Sequence, residues 1–178
     1  MFNQDKFIEE CVAAVRQENS HRAVYDLMAS AVSDPAAIFK EFGEPTKAGF
    51  NIVHRSKTVT ILNIIWPGYM SIQPHNHLMW SAIGIYSGRE DNIYWRRLPT
   101  DGGSRIEAAG ARAISAGEVL PQGKDIVHSV FNPLPRMTCA LHIYGGDYFD
   151  TARSEWDPEF LTERELDLAA VQRRFDAS

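Results

Sequence analysis

The sequence predicts a mainly β domain, a sandwich, jelly roll or barrel of short strands with helices at both ends. Three observations lead to this fold class. From Gly49 onward, short β-rich runs alternate with Gly, Pro, Asn and Asp. No helical pattern interrupts these runs, which is typical of all-β architectures. The first 45 residues and the residues after Asp157-Pro158 instead carry apolar residues at helical spacing.

Length and charge limit the class of protein. The chain has 178 residues with 44% apolar content, which suits one domain. Its net charge of -5 and the lack of a basic run argue against nucleic acid as a partner. Cys11 and Cys139 lie far apart, so we expect buried thiols in a reducing compartment rather than a disulfide. The sequence has no apolar run of about 20 residues and no apolar signal core. We therefore expect a cytoplasmic protein without a membrane segment.

Residues 1–45 are predicted to form a helical cap of three helices. The first covers Asp5–Asn19, where apolar residues recur on one face. The second follows Ser20, a residue type that caps helices. Asp34 and Pro35 open the third, and Gly43 closes it.

Residues 49–150 are predicted to form the barrel, and residues 158–176 a C-terminal helix. In that tail, Thr162 and Glu165 have the spacing of a capping box. The ten candidate strands are Phe50–His54, Thr58–Trp66, Met70–Gln73, Ser81–Tyr86, Asn92–Arg97, Arg105–Ala108, Ala111–Ile114, Glu118–Leu120, His128–Asn132 and Thr138–Tyr144. No linker or internal repeat divides the chain.

A His-x-His pair stands between Gly68 and Gly88. On a strand, His75 and His77 would project to the same face, which makes half of a metal site. Ser81 would share that face if the strand ran on. Two solvated or core-packed histidines are the plainer interpretation of such a pair.

A second block lies between Gly117 and Asn132, with a Pro-Gln-Gly turn at Pro121–Gly123 followed by His128. The two blocks together resemble the two motifs of the cupin superfamily in order and spacing. The resemblance implies a single cupin barrel, a jelly roll of the double-stranded β-helix type. It also implies that His75, His77 and His128 bind a metal ion.

The chain departs from the usual cupin motif at Ser81, where most metal-binding cupins have a glutamate ligand. Three imidazoles remain, and imidazole suits Fe, Ni, Cu or Zn. They leave about three open positions on an octahedral ion. An alternative is that Glu90, beyond the turn at Ser87-Gly88, folds in as the fourth ligand.

Within the cupins, the segments PHNHLMWSAIGIYSGRE and CALHIYGGDYF resemble the thiol dioxygenases, which act on cysteine or 3-mercaptopropionate. The resemblance implies Fe(II) held by three histidines, with Ni or Zn as other occupants. It implies that His142 and Tyr144 lie near the metal as catalytic residues, and residues two apart on a strand do share a face. Ala140 replaces the serine of the family's Ser-His-Tyr relay. Ser81 replaces the cysteine that animal enzymes crosslink to tyrosine.

The family also binds a substrate carboxylate through an arginine, because a guanidinium can donate two parallel hydrogen bonds to a carboxylate. Arg55 is the candidate, and Trp80 is the second candidate for substrate binding. The remaining arginines and histidines of interest are expected on the surface, at strand rims or at helix ends: His21, His54, Arg89, Arg96 and Arg97.

The expected function is oxidation of a small thiol by O2 to a sulfinate at a mononuclear iron site. The alternatives are a metal-dependent cupin of other chemistry, such as an isomerase or a carbon-bond dioxygenase, and a non-catalytic binding protein. Exposed barrel edges favour a homodimer.

Overall fold

The computed structural model describes residues 2–17 and 21–177, in which four helices and eleven strands are found. In chain order they are α1 (Gln4–Gln17), α2 (Arg22–Val32), α3 (Pro35–Phe42), β1 (Gly49–Arg55), β2 (Thr60–Trp66), β3 (Ser71–Asn76), β4 (Ser81–Ser87), β5 (Arg89–Arg97), β6 (Ile106–Ser115), β7 (Val119–Gln122), β8 (Val127–Phe131), β9 (Thr138–Tyr144), β10 (Ser154–Trp156), β11 (Glu163–Glu165) and α4 (Leu168–Asp176). A short 3-10 turn, Pro99–Asp101, follows β5. No helix in the described ranges combines the length and the hydropathy that a membrane crossing requires.

The strands form two antiparallel sheets. One has the order β1-β2-β9-β4-β7 and the other the order β11-β10-β3-β8-β5-β6. Successive strands from β2 to β5 alternate between the sheets, as do those from β6 to β10, which is the winding of a jelly roll. The predicted fold class is therefore confirmed.

Strand β2 reads as a continuous apolar run because both of its faces are covered. Ile61 and Ile65 pack against the N-terminal helices, whereas Leu62 and Ile64 point into the barrel beside Tyr144. A strand with two covered faces loses the usual polar alternation. The helical cap thus lies on the outer face of the five-stranded sheet.

The predicted helix boundaries agree with the structure to within a few residues where the chain is described, although His21 and not Ser20 is at the N-cap position of α2. At α3, the Asp34 side chain accepts a hydrogen bond from the Ala37 amide at 3.2 Å, and Pro35 is the first helical residue. Gly43 ends the helix with a φ of 80°, a value that glycine adopts readily. The expected N-cap at Ser20 and the end of the first predicted helix lie outside the described residues.

Gly84 allows α2 to approach β4 closely. A Cβ atom there would lie 2.6 Å from Met28 Sδ and 2.8 Å from Val32 Cγ1. Gly84→Ala should therefore lower the free energy of unfolding by about 1 to 3 kcal/mol through overpacking, measured by urea denaturation. Gly110→Ala is the control, because nothing lies within 4 Å of a Cβ at that position. Equal stability of the two variants would contradict close packing at Gly84.

The C-terminal prediction was wrong in detail. Glu163–Glu165 forms strand β11, which pairs with β10, so Thr162 and Glu165 do not make a capping box. Helix α4 begins at Leu168, and the Asp167 carboxylate caps it by accepting from the Ala170 amide at 2.9 Å. The predicted helix over residues 158–176 therefore covers only residues 168–176, and the barrel sheet continues past residue 150. Pairing between β10 and β11 therefore outweighed the local capping pattern of Thr162 and Glu165.

Two further strand predictions need correction. The predicted strands Arg105–Ala108 and Ala111–Ile114 are one strand, β6, because β5 is long enough to pair with it on both sides of Gly110. The predicted strand Met70–Gln73 extends as β3 to Asn76, which includes His75. Both cysteines are free and buried as expected, and burial raises the pKa of the Cys11 thiol to about 12.

Candidate metal centre

Three histidines meet inside the barrel. His75 lies on β3 directly opposite His128 on β8, and His77 follows the end of β3. The Nε2 atom of His77 is 3.2 Å from that of His75 and 3.4 Å from that of His128. All three side chains are buried, and within the described residues they are the group of ligand-type side chains close enough to hold one metal ion. The structure thus brings the predicted triad together.

Local backbone geometry brings His77 to the other two. The β3–β8 register shifts between Ile72 and His75, and Leu78, just after His77, has a positive φ of 54°. The chain then crosses to the other sheet, where β4 begins at Ser81. The strand therefore does not run on from His77. The Ser81 hydroxyl hydrogen-bonds Gln122 Oε1 at 3.1 Å instead of joining the histidines.

Hydrogen bonds from Nδ1 orient two of the three rings. His75 Nδ1 is 2.9 Å from the Gln73 carbonyl oxygen. His128 Nδ1 is 2.7 Å from Asn92 Oδ1, a shorter contact than the 3.1 Å to the Gln122 amide nitrogen. An oxygen acceptor at Nδ1 requires the proton on that nitrogen, which leaves Nε2 with a free lone pair. Such a partner is the usual companion of a metal-binding histidine.

The environment keeps these imidazoles neutral. Burial is the main cause that lowers the pKa of His75 to about 4, although its bond to the Gln73 carbonyl opposes this. Burial, followed by the charge of neighbouring histidines, also holds the pKa values of His77 and His128 well below 6.5. Neutral imidazole is the form that binds a metal. Three converging neutral Nε2 atoms therefore fit Fe, Ni, Cu or Zn, for which imidazole is a suitable ligand.

The triad opens on a narrow, largely apolar cavity. Apolar walls come from β1, β2, β3, β8 and α4, whereas the polar side chains besides the triad are His142, Tyr144 and Tyr148. Helix α4 closes one side with Val171, and Phe175 next to it packs on Trp66. The free space, about 20 Å³ for the centre of a water-sized sphere, holds roughly one water molecule. A ligand larger than a water molecule therefore requires the side chains that line the cavity to move.

His142 and Tyr144 lie beside the triad. They are two residues apart on β9, so their side chains share a face, as the sequence predicts. His142 Nδ1 is 3.0 Å from the Tyr144 hydroxyl, and the Tyr144 ring meets the His77 ring edge-on at 4.9 Å between centroids. Both side chains are buried and line the cavity. Burial raises the pKa of Tyr144 well above 10, so its hydroxyl keeps its proton.

The two predicted substrate-binding residues lie outside the cavity lining. Arg55 pairs with Asp147 at 2.9 Å, and its side chain is 45% exposed. Trp80 stacks on His21 with ring centroids 5.6 Å apart, next to Gly145. The structure does not bring either residue to the histidines, and their contact with a substrate stays a prediction.

Arg89, Arg96 and Arg97 lie on β5, which is the strand next to the edge strand β6 and not the outer strand itself, and they face the surface as expected. Each forms an ion pair on the surface, Arg89 with Asp91, Arg96 with Glu107 and Arg97 with Glu163. None of them lines the cavity.

Arg153 is a buried cation near the site that sequence reasoning missed. It contacts Tyr148 of the cavity lining but does not itself line the cavity. Its side chain is only 5% exposed, and its guanidinium carbon lies 4.0 Å from the ring centroid of Tyr148, a cavity residue. One nitrogen, Nη1, donates to the carbonyl oxygens of Tyr148 and Thr151. Among the described residues, Nε and Nη2 have no hydrogen-bond partner. The positive charge also contributes to lowering the pKa values of His75 and His77.

Glu90 is buried as well, but it does not join the ligand cluster. Its Oε1 atom accepts a hydrogen bond from Asn92 Nδ2 at 3.0 Å, and its Oε2 atom lies 3.7 Å from His142 Nε2. The metal-binding group contains the three histidines without it. Glu90 is therefore not positioned as a fourth metal ligand, in contrast to the alternative that the sequence left open. No periodicity linked Glu90 to His142, because the two lie on different sheets.

Comparisons with known proteins show a similarity of fold and nothing further. No protein-family model and no curated protein matches the chain. Among solved structures, the chain is similar to a cupin with a double-stranded β-helix fold from Methanocaldococcus jannaschii, with 9% identity over 60% of this chain and 86% of that chain and a TM-score of 0.48. A conserved Klebsiella pneumoniae protein with a double-stranded β-helix domain has 11% identity over 63% of this chain and 81% of that chain, with a TM-score of 0.46. A DMSP lyase from Ruegeria pomeroyi has 18% identity over 58% of this chain and 46% of that chain, with a TM-score of 0.44.

Proposed function

We propose that this protein is a mononuclear non-haem iron dioxygenase that oxidises a small thiol to a sulfinate. The observation that carries the proposal is a buried cluster of three neutral histidines without a carboxylate, flanked by the His142–Tyr144 pair. His75, His77 and His128 would hold the iron through Nε2. Ferrous iron bound there supplies the redox chemistry between a thiolate and dioxygen.

The charge of the ligand set favours an anionic sulfur ligand. Most cupin metal sites include a glutamate, whereas this cluster brings no negative charge of its own. A thiolate supplies that charge, and the positive charge of the ion in turn stabilises the deprotonated thiol. The reaction balances without an external reductant, since a thiolate and one O2 together contain the atoms and electrons of a sulfinate.

Arg153 supports a substrate that also carries a carboxylate. A buried guanidinium with two unpartnered nitrogens is costly, and a carboxylate that accepts from both would remove that cost. Its fork of N–H groups matches the two oxygens of a carboxylate. We therefore favour a small thiol acid, such as 3-mercaptopropionate or cysteine, as the substrate class.

The activity is tested by loading the protein with iron under anaerobic conditions, adding single thiols and then admitting air. We expect oxygen uptake only in the presence of a thiol, with thiol acids oxidised most efficiently and one sulfinate formed for each O2 consumed. The matched control is zinc-loaded protein, which should consume no oxygen because zinc has no redox chemistry. Full iron loading without sulfinate from any thiol would instead favour an isomerase, a carbon-bond dioxygenase or a binding protein.

The substrate class is tested in the same assay with an arginine variant. Arg153→Leu should raise KM for 3-mercaptopropionate by about 10-fold to 100-fold, since a charge-assisted hydrogen bond contributes about 1.5 to 3 kcal/mol. Cysteamine has no carboxylate, and its KM should not change. Arg55→Leu is the surface control, and a larger effect there than at Arg153 would assign carboxylate binding to Arg55.

A further inference from the structure

Two buried polar atoms with no other partner face each other across the barrel. Glu90 on β5 and His142 on β9 are 1% and 2% exposed. Glu90 Oε2 and His142 Nε2 are 3.7 Å apart, and neither forms a hydrogen bond with any other described residue. A side-chain movement of under about 1 Å brings them within hydrogen-bond distance. Each atom is therefore the natural partner of the other.

Asn92 determines which carboxyl oxygen of Glu90 faces His142. Its Nδ2 atom donates to Glu90 Oε1 at 3.0 Å, while its Oδ1 atom accepts from the metal-binding His128 at 2.7 Å. Because the amide oxygen is committed to His128, the amide nitrogen must point to Glu90. Only Oε2 is then free to interact with His142. A continuous chain of buried polar groups thus connects His128 through Asn92, Glu90 and His142 to Tyr144.

The partners of the Glu90–His142 pair determine which nitrogen of His142 carries its proton. An uncompensated charge is costly in a dry interior, so the pair is favoured when its net charge is zero. That condition places one proton between Oε2 and Nε2 and a second proton on His142 Nδ1. The Nδ1 proton points to the Tyr144 oxygen 3.0 Å away. Tyr144 then accepts from His142, and its own hydroxyl proton is free to point into the cavity.

We propose that Glu90 is a positioning residue that keeps the Nδ1 proton on His142 and so makes Tyr144 a hydrogen-bond donor toward the metal centre. Without Glu90, the phenol is the better donor and would give its hydrogen bond to Nδ1. The Tyr144 oxygen would then offer only lone pairs to the cavity. Ala140, two residues before His142, cannot supply a polar partner, so the third member of this relay comes from β5 rather than from β9.

The proton position is measured directly by nitrogen NMR of 15N-histidine-labelled, zinc-loaded protein, because imidazole nitrogen shifts separate protonated from bare nitrogens. The His142 signals are identified by their loss in His142→Asn. We expect a protonated Nδ1 in the wild type. Glu90→Gln should keep it, since Asn92 directs the new amide oxygen toward itself and the amide nitrogen toward Nε2. Glu90→Met, of similar size but without polar atoms, should shift Nδ1 toward the range of a bare nitrogen.

Tyr144→Phe is a second variant that removes only a hydroxyl, and Nδ1 should stay protonated in it because Glu90 and not the phenol determines the proton position. A wild-type spectrum for Glu90→Met, loss of the Nδ1 proton in Glu90→Gln or its loss in Tyr144→Phe would each overturn the proposal. These spectra do not depend on any activity, so they remain informative if the proposed reaction fails.

The kinetic consequence rests on the proposed function. Glu90→Met and Tyr144→Phe should each lower kcat about 10-fold to 100-fold, with metal content and KM unchanged, because one hydrogen bond to developing charge is lost. If Glu90 acts through Tyr144, the double variant should be no slower than Tyr144→Phe alone. Multiplied losses would overturn the proposal and assign Glu90 an independent effect.

Discussion

Replacing any one of His75, His77 and His128 by alanine is expected to lower the bound metal at least about 10-fold. Each ring contributes one of three converging Nε2 atoms, and the described residues offer no further His, Cys, Asp or Glu side chain close enough to complete the group. Metal content of the purified variants is measured by elemental analysis. The fold should persist, because the hydrophobic clusters around the cavity are built from other residues.

His21→Ala and His54→Ala are the matched controls for this experiment. Both remove an imidazole outside the cluster, so both variants should retain the wild-type metal content. Far-ultraviolet circular dichroism of every variant separates loss of metal from loss of fold. Full metal occupancy in two of the three cluster variants would show that the triad is not the metal site.

The metal-free protein is expected to lose about 3 to 4 kcal/mol of stability between pH 7.5 and pH 5.5. Burial lowers the pKa of His75 from 6.5 to about 4, and the pKa values of His77 and His128 lie well below 6.5 for the same first cause. A histidine with a lowered folded-state pKa binds more protons when unfolded. Its stabilising contribution is therefore complete above pH 6.5 and falls as the pH drops below that value. At pH 5.5 each histidine costs about 1 kcal/mol.

Urea denaturation of the chelator-treated protein at the two pH values measures this effect. His77→Leu should lose about 1 kcal/mol less than the wild type over the same interval, because one titrating group is gone. A loss below about 1 kcal/mol in the wild type would mean that the buried histidines do not hold their neutral form.

The sequence alone determined the features that depend on local spacing. A period of two on a strand places His75 with His77 and His142 with Tyr144, and the structure has both pairs at the cavity. Apolar periodicity and the Asp34-Pro35 signal predicted the N-terminal helices in the described part of the chain. The two spaced blocks also placed His128 with the first pair. Such patterns are readable because the residues concerned are neighbours along one element or occupy motif positions.

Only the tertiary structure decided which distant side chains complete the site. Arg153 lies in the loop between β9 and β10, and Glu90 lies across the barrel from His142, so no period connects either residue to the triad. The tertiary structure also decided the fate of residues 163–165, which pair with β10 as strand β11 and do not form the helix that Thr162 and Glu165 suggested. Burial also changed the chemistry of residues that the sequence had identified, since desolvation is what keeps the three imidazoles neutral. Spacing along the chain reports local geometry, whereas contacts between sheets and removal from water arise only when the barrel closes.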